Sequence, residues 1–165
     1  MPTSYDQGDF FRDTLAEAKA KIAAEMDDGL SCPCCGRFVK RYRRRIYAAQ
    51  ARQLITLYRL GRRRGWDEYF HRNNIMTREL NNNDVVLLRY WELIQVRPNE
   101  DPTKKDSGFY RITDLGRAFV ELKHRVPKYL VMYNDAAEGF EGELVSIVDA
   151  LGKKFDYREL MEGTW

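Results

Sequence analysis

The spacing of apolar positions changes several times along the chain, and each change marks an element. Phe11, Leu15, Ala18, Ile22 and Met26 recur at intervals of three and four, which places them on one face of a helix predicted over Asp9–Asp28. Asp9 is its expected N-cap and Gly29 its stop, because a carboxylate accepts the first orphan N–H groups and glycine accepts the left-handed angle at a helix end. A second helical pattern runs from Arg43 to Leu60. Tyr47, Ala51, Leu54 and Tyr58 form its apolar stripe with Ile46, Leu57 and Leu60 alongside, and Gly61 and Gly65 are expected to end it. Trp66–Ile75 reads as a short strand or turn, Ile75–Leu80 as a short helix, Asn81–Asn83 as a turn and Asp84–Leu93 as a further helix. Ile94–Arg97 and Phe109–Thr113 are rich in β-formers and are parted by the polar loop Pro98–Gly108, so they read as two strands. Thr113 then caps a helix expected from Asp114 to Arg125, with Leu115, Ala118, Phe119 and Leu122 inward. Beyond it the pattern predicts a strand over Lys128–Tyr133, a turn at Asn134-Asp135 and an irregular stretch at Gly139–Gly142. Short helices over Leu144–Leu151 and Phe155–Met161 follow, separated by Gly152-Lys153-Lys154.

These elements predict an α+β fold, mostly helical. Four regions follow: an N-terminal amphipathic helix over 1–30, a cysteine knuckle with a basic strand over 31–42, a core over 43–125, and a small α/β C-terminal appendage over 126–165 packed on that core. With 44% apolar residues in 165, the chain can fill a core, which excludes a disordered or low-complexity polypeptide. The longest apolar runs, Val85–Leu88 and Tyr129–Tyr133, are far too short to span a bilayer, and Met1–Phe10 lacks the pattern of a secretory signal. A soluble, cytoplasmic protein with no membrane partner is therefore expected.

Charge sharpens the picture, because a net charge of +3 hides strong segregation. Residues 31–66 carry eleven bases (Arg37, Lys40, Arg41, Arg43, Arg44, Arg45, Arg52, Arg59, Arg62, Arg63 and Arg64) and no acid, while the segments on either side are each net −4. Like charges stacked without counter-charges repel, so the arrangement calls either for a polyanionic partner or for neutralisation by the acidic 1–30 segment. Ten of the eleven are arginine, whose planar fork binds two phosphate oxygens at once or pairs with an acidic protein surface. Arg45, Arg52 and Arg59 lie seven apart, about two helical turns, so they are expected to form a ladder that Arg62 or Arg63 extends. A merely solvated helix face would mix in glutamate for spaced ion pairs; this one has none.

The three cysteines all lie within Cys32–Cys35 and make no disulfide framework. Cys32-Pro33-Cys34-Cys35-Gly36 has the spacing of a zinc knuckle, in which a tight turn aims the sulfurs of Cys32 and Cys35 at one ion. A structural zinc site needs four ligands. The remaining two could come from Cys34, His71, His124 or the knuckle of a second subunit in a homodimer, or the turn could persist without metal. No catalytic constellation is present: there is no histidine beside a nucleophile and no glycine-rich phosphate loop. The adjacent pairs Asp27-Asp28 and Asp67-Glu68 do not converge on one reacting atom. The chain is expected not to be an enzyme.

From Arg43 to Arg125 the order helix, short helix, turn, helix, strand, long loop, strand, helix resembles a winged-helix domain. Leu88-Arg89-Tyr90-Trp91-Glu92-Leu93-Ile94 is similar to the end of a recognition helix entering the first wing strand. Tyr110-Arg111-Ile112-Thr113-Asp114-Leu115-Gly116-Arg117 is similar to the second wing strand entering the closing helix. Over its whole length the chain also resembles a class of small bacteriophage proteins of unassigned function. The resemblance implies a phage-encoded helix-turn-helix regulator that binds duplex DNA. Of Asp84–Ile94, however, only Asp84, Arg89 and Glu92 are polar, which leaves almost no face to read bases in a major groove. DNA would then be gripped by its backbone, through Arg43, Arg44, Arg45, Arg52, Arg59, Arg62, Arg63, Arg64 and Arg89, and through Lys104 and Lys105 at the loop tip. The alternative is a protein-interaction module whose basic surface meets an acidic host complex such as a defence system or polymerase.

Overall fold

The computed structural model describes residues 14–76, 84–104 and 106–163. Those residues form an α+β chain whose short strands make three small sheets. They divide into two compact units. One holds the described residues up to Arg44 together with Val131–Gly139; the other holds Arg45–Leu130 and the described residues from Phe140.

In the first unit, helix α1 (Leu15–Glu25) opens at Thr14. The Thr14 hydroxyl accepts from the Glu17 N–H, and the Glu17 carboxylate accepts from the Thr14 N–H at 2.7 Å, a reciprocal capping box. The Thr14 hydroxyl also donates to that carboxylate at 2.7 Å and, with the Thr14 N–H, holds the Glu17 carboxyl below its usual value. The expected cap Asp9, with Phe11, lies outside the described residues. Of the expected apolar face, Ala18 and Met26 are buried and Ile22 is half-buried, but Leu15 is 65% exposed. Gly29 ends this segment with φ +96°, and the Phe38 ring lies so close above it that a Cβ there would sit 2.5 Å from Phe38 Cζ. Strands β1 (Leu30–Ser31) and β2 (Phe38–Val39) then pair antiparallel, Leu30 opposite Val39 and Ser31 opposite Phe38.

Strand β3 (Tyr42–Arg45) corrects the helix expected from Arg43. It belongs to a sheet of order β3-β7-β8, formed with β7 (Val126–Tyr133) and β8 (Ala136–Val145). Pairing across more than eighty positions supplies hydrogen bonds that local periodicity cannot reveal. The expected turn Asn134-Asp135 joins β7 to β8. Both residues have positive φ, +49° and +61°, the mirror-image turn that suits a twisted hairpin. The stretch Gly139–Gly142, read as irregular, runs inside β8.

In the second unit the central element is helix α2 (Ala48–Arg64), which touches the strand Phe109–Ile112 and every later helix of the unit. Gln50 accepts from the Tyr47 N–H at 2.9 Å and donates to the Asp84 carbonyl at 3.0 Å, tying the helix start to a distant loop. Ala51, Leu54, Ile55, Leu57 and Tyr58 are buried, and so are Gln50, Arg52 and Gln53, so the middle of α2 is covered nearly all round. Gly61 does not stop it. The helix passes through Gly61 because the Trp66 indole packs there, 2.8 Å from where a Cβ would be, and it ends at Gly65 with φ +129°.

Beyond α2 come β4 (Phe70–His71), α3 (Arg72–Ile75), a six-residue 3₁₀ helix (Asp84–Arg89), β5 (Ile94–Val96), β6 (Phe109–Ile112) and α4 (Asp114–Val120). The strands form an antiparallel sheet of order β4-β6-β5, with Phe70 opposite Tyr110 and Ile94 opposite Ile112. The helix expected over Ile75–Leu80 is met only by α3, which ends at Ile75; residues 77–83, with the turn Asn81–Asn83, lie outside the described residues. The helix expected over Asp84–Leu93 is a 3₁₀ helix that stops at Arg89, after which the chain turns through Glu92 at φ +58°. Thr113 caps α4 as expected, accepting from the Gly116 N–H at 2.9 Å. That helix ends at Val120 rather than Arg125: Leu122 adopts φ +62° and is 49% exposed instead of facing inward. Two short helices complete the unit: α5 (Ile147–Leu151), with a Ser146–Asp149 capping box, and α6 (Tyr157–Glu162), capped by Asp156.

Candidate nucleic-acid interface

The expected ladder of Arg45, Arg52 and Arg59 on one solvent-facing stripe is not what the fold holds. Arg52 is buried at 9% exposure, with its guanidinium 4.4 Å from the Phe155 ring centroid. Arg59 is half-buried and donates to the carbonyl oxygens of Leu160 and Gly163. Burial, with Arg63 nearby, holds the Arg59 guanidinium below the ordinary arginine value. These two arginines fasten the C-terminal helix to α2. A seven-residue spacing aligns side chains on one face but does not say what covers that face.

The other candidates are scattered. Arg43 and Arg44 are exposed on β3 in the first unit, Arg44 beside the Tyr42 ring at 5.9 Å. In the second unit Arg62 and Arg63 are exposed on the last turn of α2, where they also complement the helix dipole. Arg64 pairs with Glu68 at 2.5 Å and lies over Phe70. Arg89 is exposed and folds onto Tyr90, donating to its hydroxyl at 3.2 Å. Lys104 pairs with Asp101 at 3.6 Å within its own loop, and Lys105 lies outside the described residues. In the first unit Arg41 is held by Asp27 at 3.1 Å and Glu138 at 2.6 Å, so one base of the segment is neutralised internally.

The element in the position of a recognition helix is closed. Val85, Leu88, Trp91, Leu93 and Ile94 are buried, and only Asp84, Arg89 and Glu92 are exposed between Asp84 and Ile94. Trp91 donates its indole N–H to the Pro127 carbonyl at 2.8 Å and meets Phe140 at 5.8 Å between ring centroids, so the hairpin β7–β8 covers it.

A different arrangement emerges in the second unit. Arg45, Tyr47, Arg125, Lys128, Glu143 and Lys153 line an open groove of about 800 Å³, with Leu144, Val148 and Asp149 also on its wall. Tyr47 is 50% exposed and carries the Arg45 guanidinium 4.7 Å from its ring centroid. Both acids of the wall are engaged. Glu143 accepts from Lys128 at 2.8 Å, which raises the Lys128 ammonium above its ordinary value. Asp149 accepts from the Ser146 N–H and hydroxyl, which hold its carboxyl below the usual range. Arg45, Arg125 and Lys153 have no ion pair among the described residues. The groove thus offers three cations without an ion-pair partner among the described residues, Arg45 lying over the exposed Tyr47 ring, a set of charges suited to a phosphate backbone. Sequence reading singled out Arg45 alone. Arg125 and Lys153 lie outside the acid-free 31–66 segment, and only the fold brings them beside Arg45.

In the first unit the knuckle is formed. The Cys32 N–H donates to the Arg37 carbonyl at 2.8 Å, the Gly36 N–H donates to the Cys32 carbonyl at 2.9 Å, and Gly36 has φ +71°. Cys32 is buried while Cys34 and Cys35 are exposed. N–H groups of Cys34 and Cys35 donate to the Cys32 sulfur and lower its thiol from the ordinary value. Among the described residues no group of three or more histidine, cysteine or acidic side chains is placed to hold a metal ion. The candidate ligand His71 accepts from the Asn73 N–H through Nδ1 and meets Phe109 edge to face, with ring centroids 5.0 Å apart.

Comparison with protein-family models, with curated proteins and with solved structures finds no match for this chain. Among the described residues, no helix is long and apolar enough to cross a membrane.

Proposed function

We propose that this chain is a non-enzymatic nucleic-acid-binding protein, a phage-encoded regulator of winged-helix type that grips duplex DNA by its backbone. The observation that carries the proposal is the groove in which Arg45, Arg125 and Lys153 surround Tyr47 while both neighbouring acids are already engaged. The winged-helix reading draws support from the run α2, β4, α3, 3₁₀ helix, β5, β6 and from the sheet order β4-β6-β5, in which the polar loop 97–108 joins β5 to β6 as a wing. Of the adjacent carboxylates Asp27-Asp28 and Asp67-Glu68, three have arginine partners: Asp27 with Arg41, Asp67 with Arg111 and Glu68 with Arg64.

Because Trp91 holds the reading element against Pro127, contacts would fall on phosphates and sugars rather than on base edges. Binding is then sequence-tolerant. Gel-shift titrations with several duplexes of unrelated sequence test this: closely similar affinities support the reading, and no shift with any of them at low salt refutes it.

A second reading, docking on an acidic host protein, is favoured by the exposure of Leu144 (57%) and Val148 (44%) on the same wall. Apolar side chains next to cations suit a protein surface as well as a nucleotide. Absence of nucleic-acid binding, together with loss of a protein partner on Arg125→Glu, would select it.

A further inference from the structure

The hairpin of β1 and β2 carries two cysteines at knuckle spacing, Cys32 and Cys35. Register pairing of Leu30 with Val39 and Ser31 with Phe38 closes the hairpin, and backbone bonds from Gly36 N–H to the Cys32 carbonyl and from Cys32 N–H to the Arg37 carbonyl fold Cys32–Gly36 into one tight turn. The Cys32 side chain is buried in the hairpin while that of Cys35 is exposed at its turn. Zinc in a structural site takes four ligands, and the described residues supply no third or fourth to this pair.

We propose that Cys32 and Cys35 of two copies of this chain together bind one zinc ion in a four-sulfur shell, making the protein a zinc-bridged homodimer. Charge favours a second copy of this hairpin over an acidic partner. A zinc ion with four thiolates carries a net charge of about −2, and each copy brings the exposed Arg37 and the half-exposed Lys40 on the same hairpin. Without the metal, two such basic hairpins would repel; with it, their cations surround an anion. The same unit leaves Phe38 64% and Leu15 65% exposed, apolar surface that a second copy can cover. The pair at knuckle spacing is Cys32 and Cys35, so Cys34 lies outside the proposed shell. The inference does not rest on nucleic-acid binding.

Elemental analysis and light scattering on the full reduced chain, supplied with zinc, test it. The expected result is one zinc per two chains and a mass twice the 19.5 kDa of a single chain, both lost on treatment with a strong chelator. Cys35→Ser changes an exposed side chain and should give a folded, zinc-free monomer, whereas Cys34→Ser should keep both metal and dimer. Cobalt(II) in place of zinc should show the visible bands of a tetrahedral thiolate complex. One zinc per monomeric chain, no zinc in the reduced protein, or a dimer that resists chelation would overturn the proposal. So would a dimer lost on reduction alone or in Cys34→Ser, which would be a disulfide.

Discussion

The indole N–H of Trp91 donates to the carbonyl of Pro127 at 2.8 Å, and through that bond the segment following the 3₁₀ helix is clamped to β7. Trp91 is 4% exposed, so its ring is also core. Trp91→Ala should cost about 3–5 kcal/mol, the usual penalty for emptying a buried aromatic site. Trp91→Phe keeps most of the packing and strands the Pro127 carbonyl, at a cost of about 1–3 kcal/mol. Chemical denaturation measures both; midpoints unchanged from wild type would contradict the clamp.

Arg52 and Arg59 act on stability rather than on a ligand. Arg59→Ala removes donors from the carbonyls of Leu160 and Gly163 and should destabilise by about 1–3 kcal/mol, fraying α6 first. Arg62→Glu with Arg63→Glu, both exposed, should leave the melting midpoint within a few degrees of wild type. Hydrogen exchange over α6 distinguishes the two: protection there should fall in Arg59→Ala and persist in the Arg62/Arg63 variant.

Gly116 is fixed by close approach rather than by backbone angle. A Cβ there would lie 2.0 Å from the Leu93 carbonyl oxygen, at the point where Thr113 also bonds back to Glu92. Gly116→Ala must push α4 off β5 and should cost about 3 kcal/mol or more, above the common range for overpacking because the obstacle is backbone. Gly152→Ala serves as the contrast. Nothing lies within 4 Å of a Cβ there, so only its positive φ, +68°, opposes the change. A Gly116→Ala protein that melts with wild type would contradict the packing described here.

Three tyrosines set the alkaline limit of stability. Burial raises Tyr58, with help from Glu121 at 3.0 Å, and it raises Tyr157; burial with Asp106 pushes Tyr110 up to about 12. Each phenol holds its proton more tightly in the fold than in the unfolded chain. Their contribution is therefore complete below the ordinary phenol value of 10 and is lost as pH rises through the folded values. The protein should unfold above pH 10, and Tyr110→Phe should move that transition upward. Circular dichroism against pH reads it, and an unmoved transition would contradict the assignment.

Much of the fold was legible in the chain because local chemistry decided it. Thr113 caps α4, Asn134-Asp135 turns, Gly65 ends α2 and the β5–β6 loop is polar, each from residues within a few positions. Contacts distant in sequence decided the rest. Tyr42–Arg45 has no local reason to be a strand until β7 lies beside it, and Gly139 and Gly142 look like breakers until β8 pairs with β7. The basic segment was legible as a charge anomaly but not as a surface. Its central arginines are spent on Phe155 and on the carbonyls near the C-terminus, while the groove draws Arg125 and Lys153 from outside the basic segment.

The salt dependence of duplex binding tests the groove most directly. For wild type, log affinity against log salt concentration should fall with a slope of about −3, one phosphate for each of Arg45, Arg125 and Lys153. In Arg125→Glu with Lys153→Glu, a change on exposed or half-exposed side chains, affinity at low salt should drop by about tenfold or more and the slope should flatten toward about −1. A folded double variant that binds duplex DNA with the wild-type affinity and slope would contradict the account.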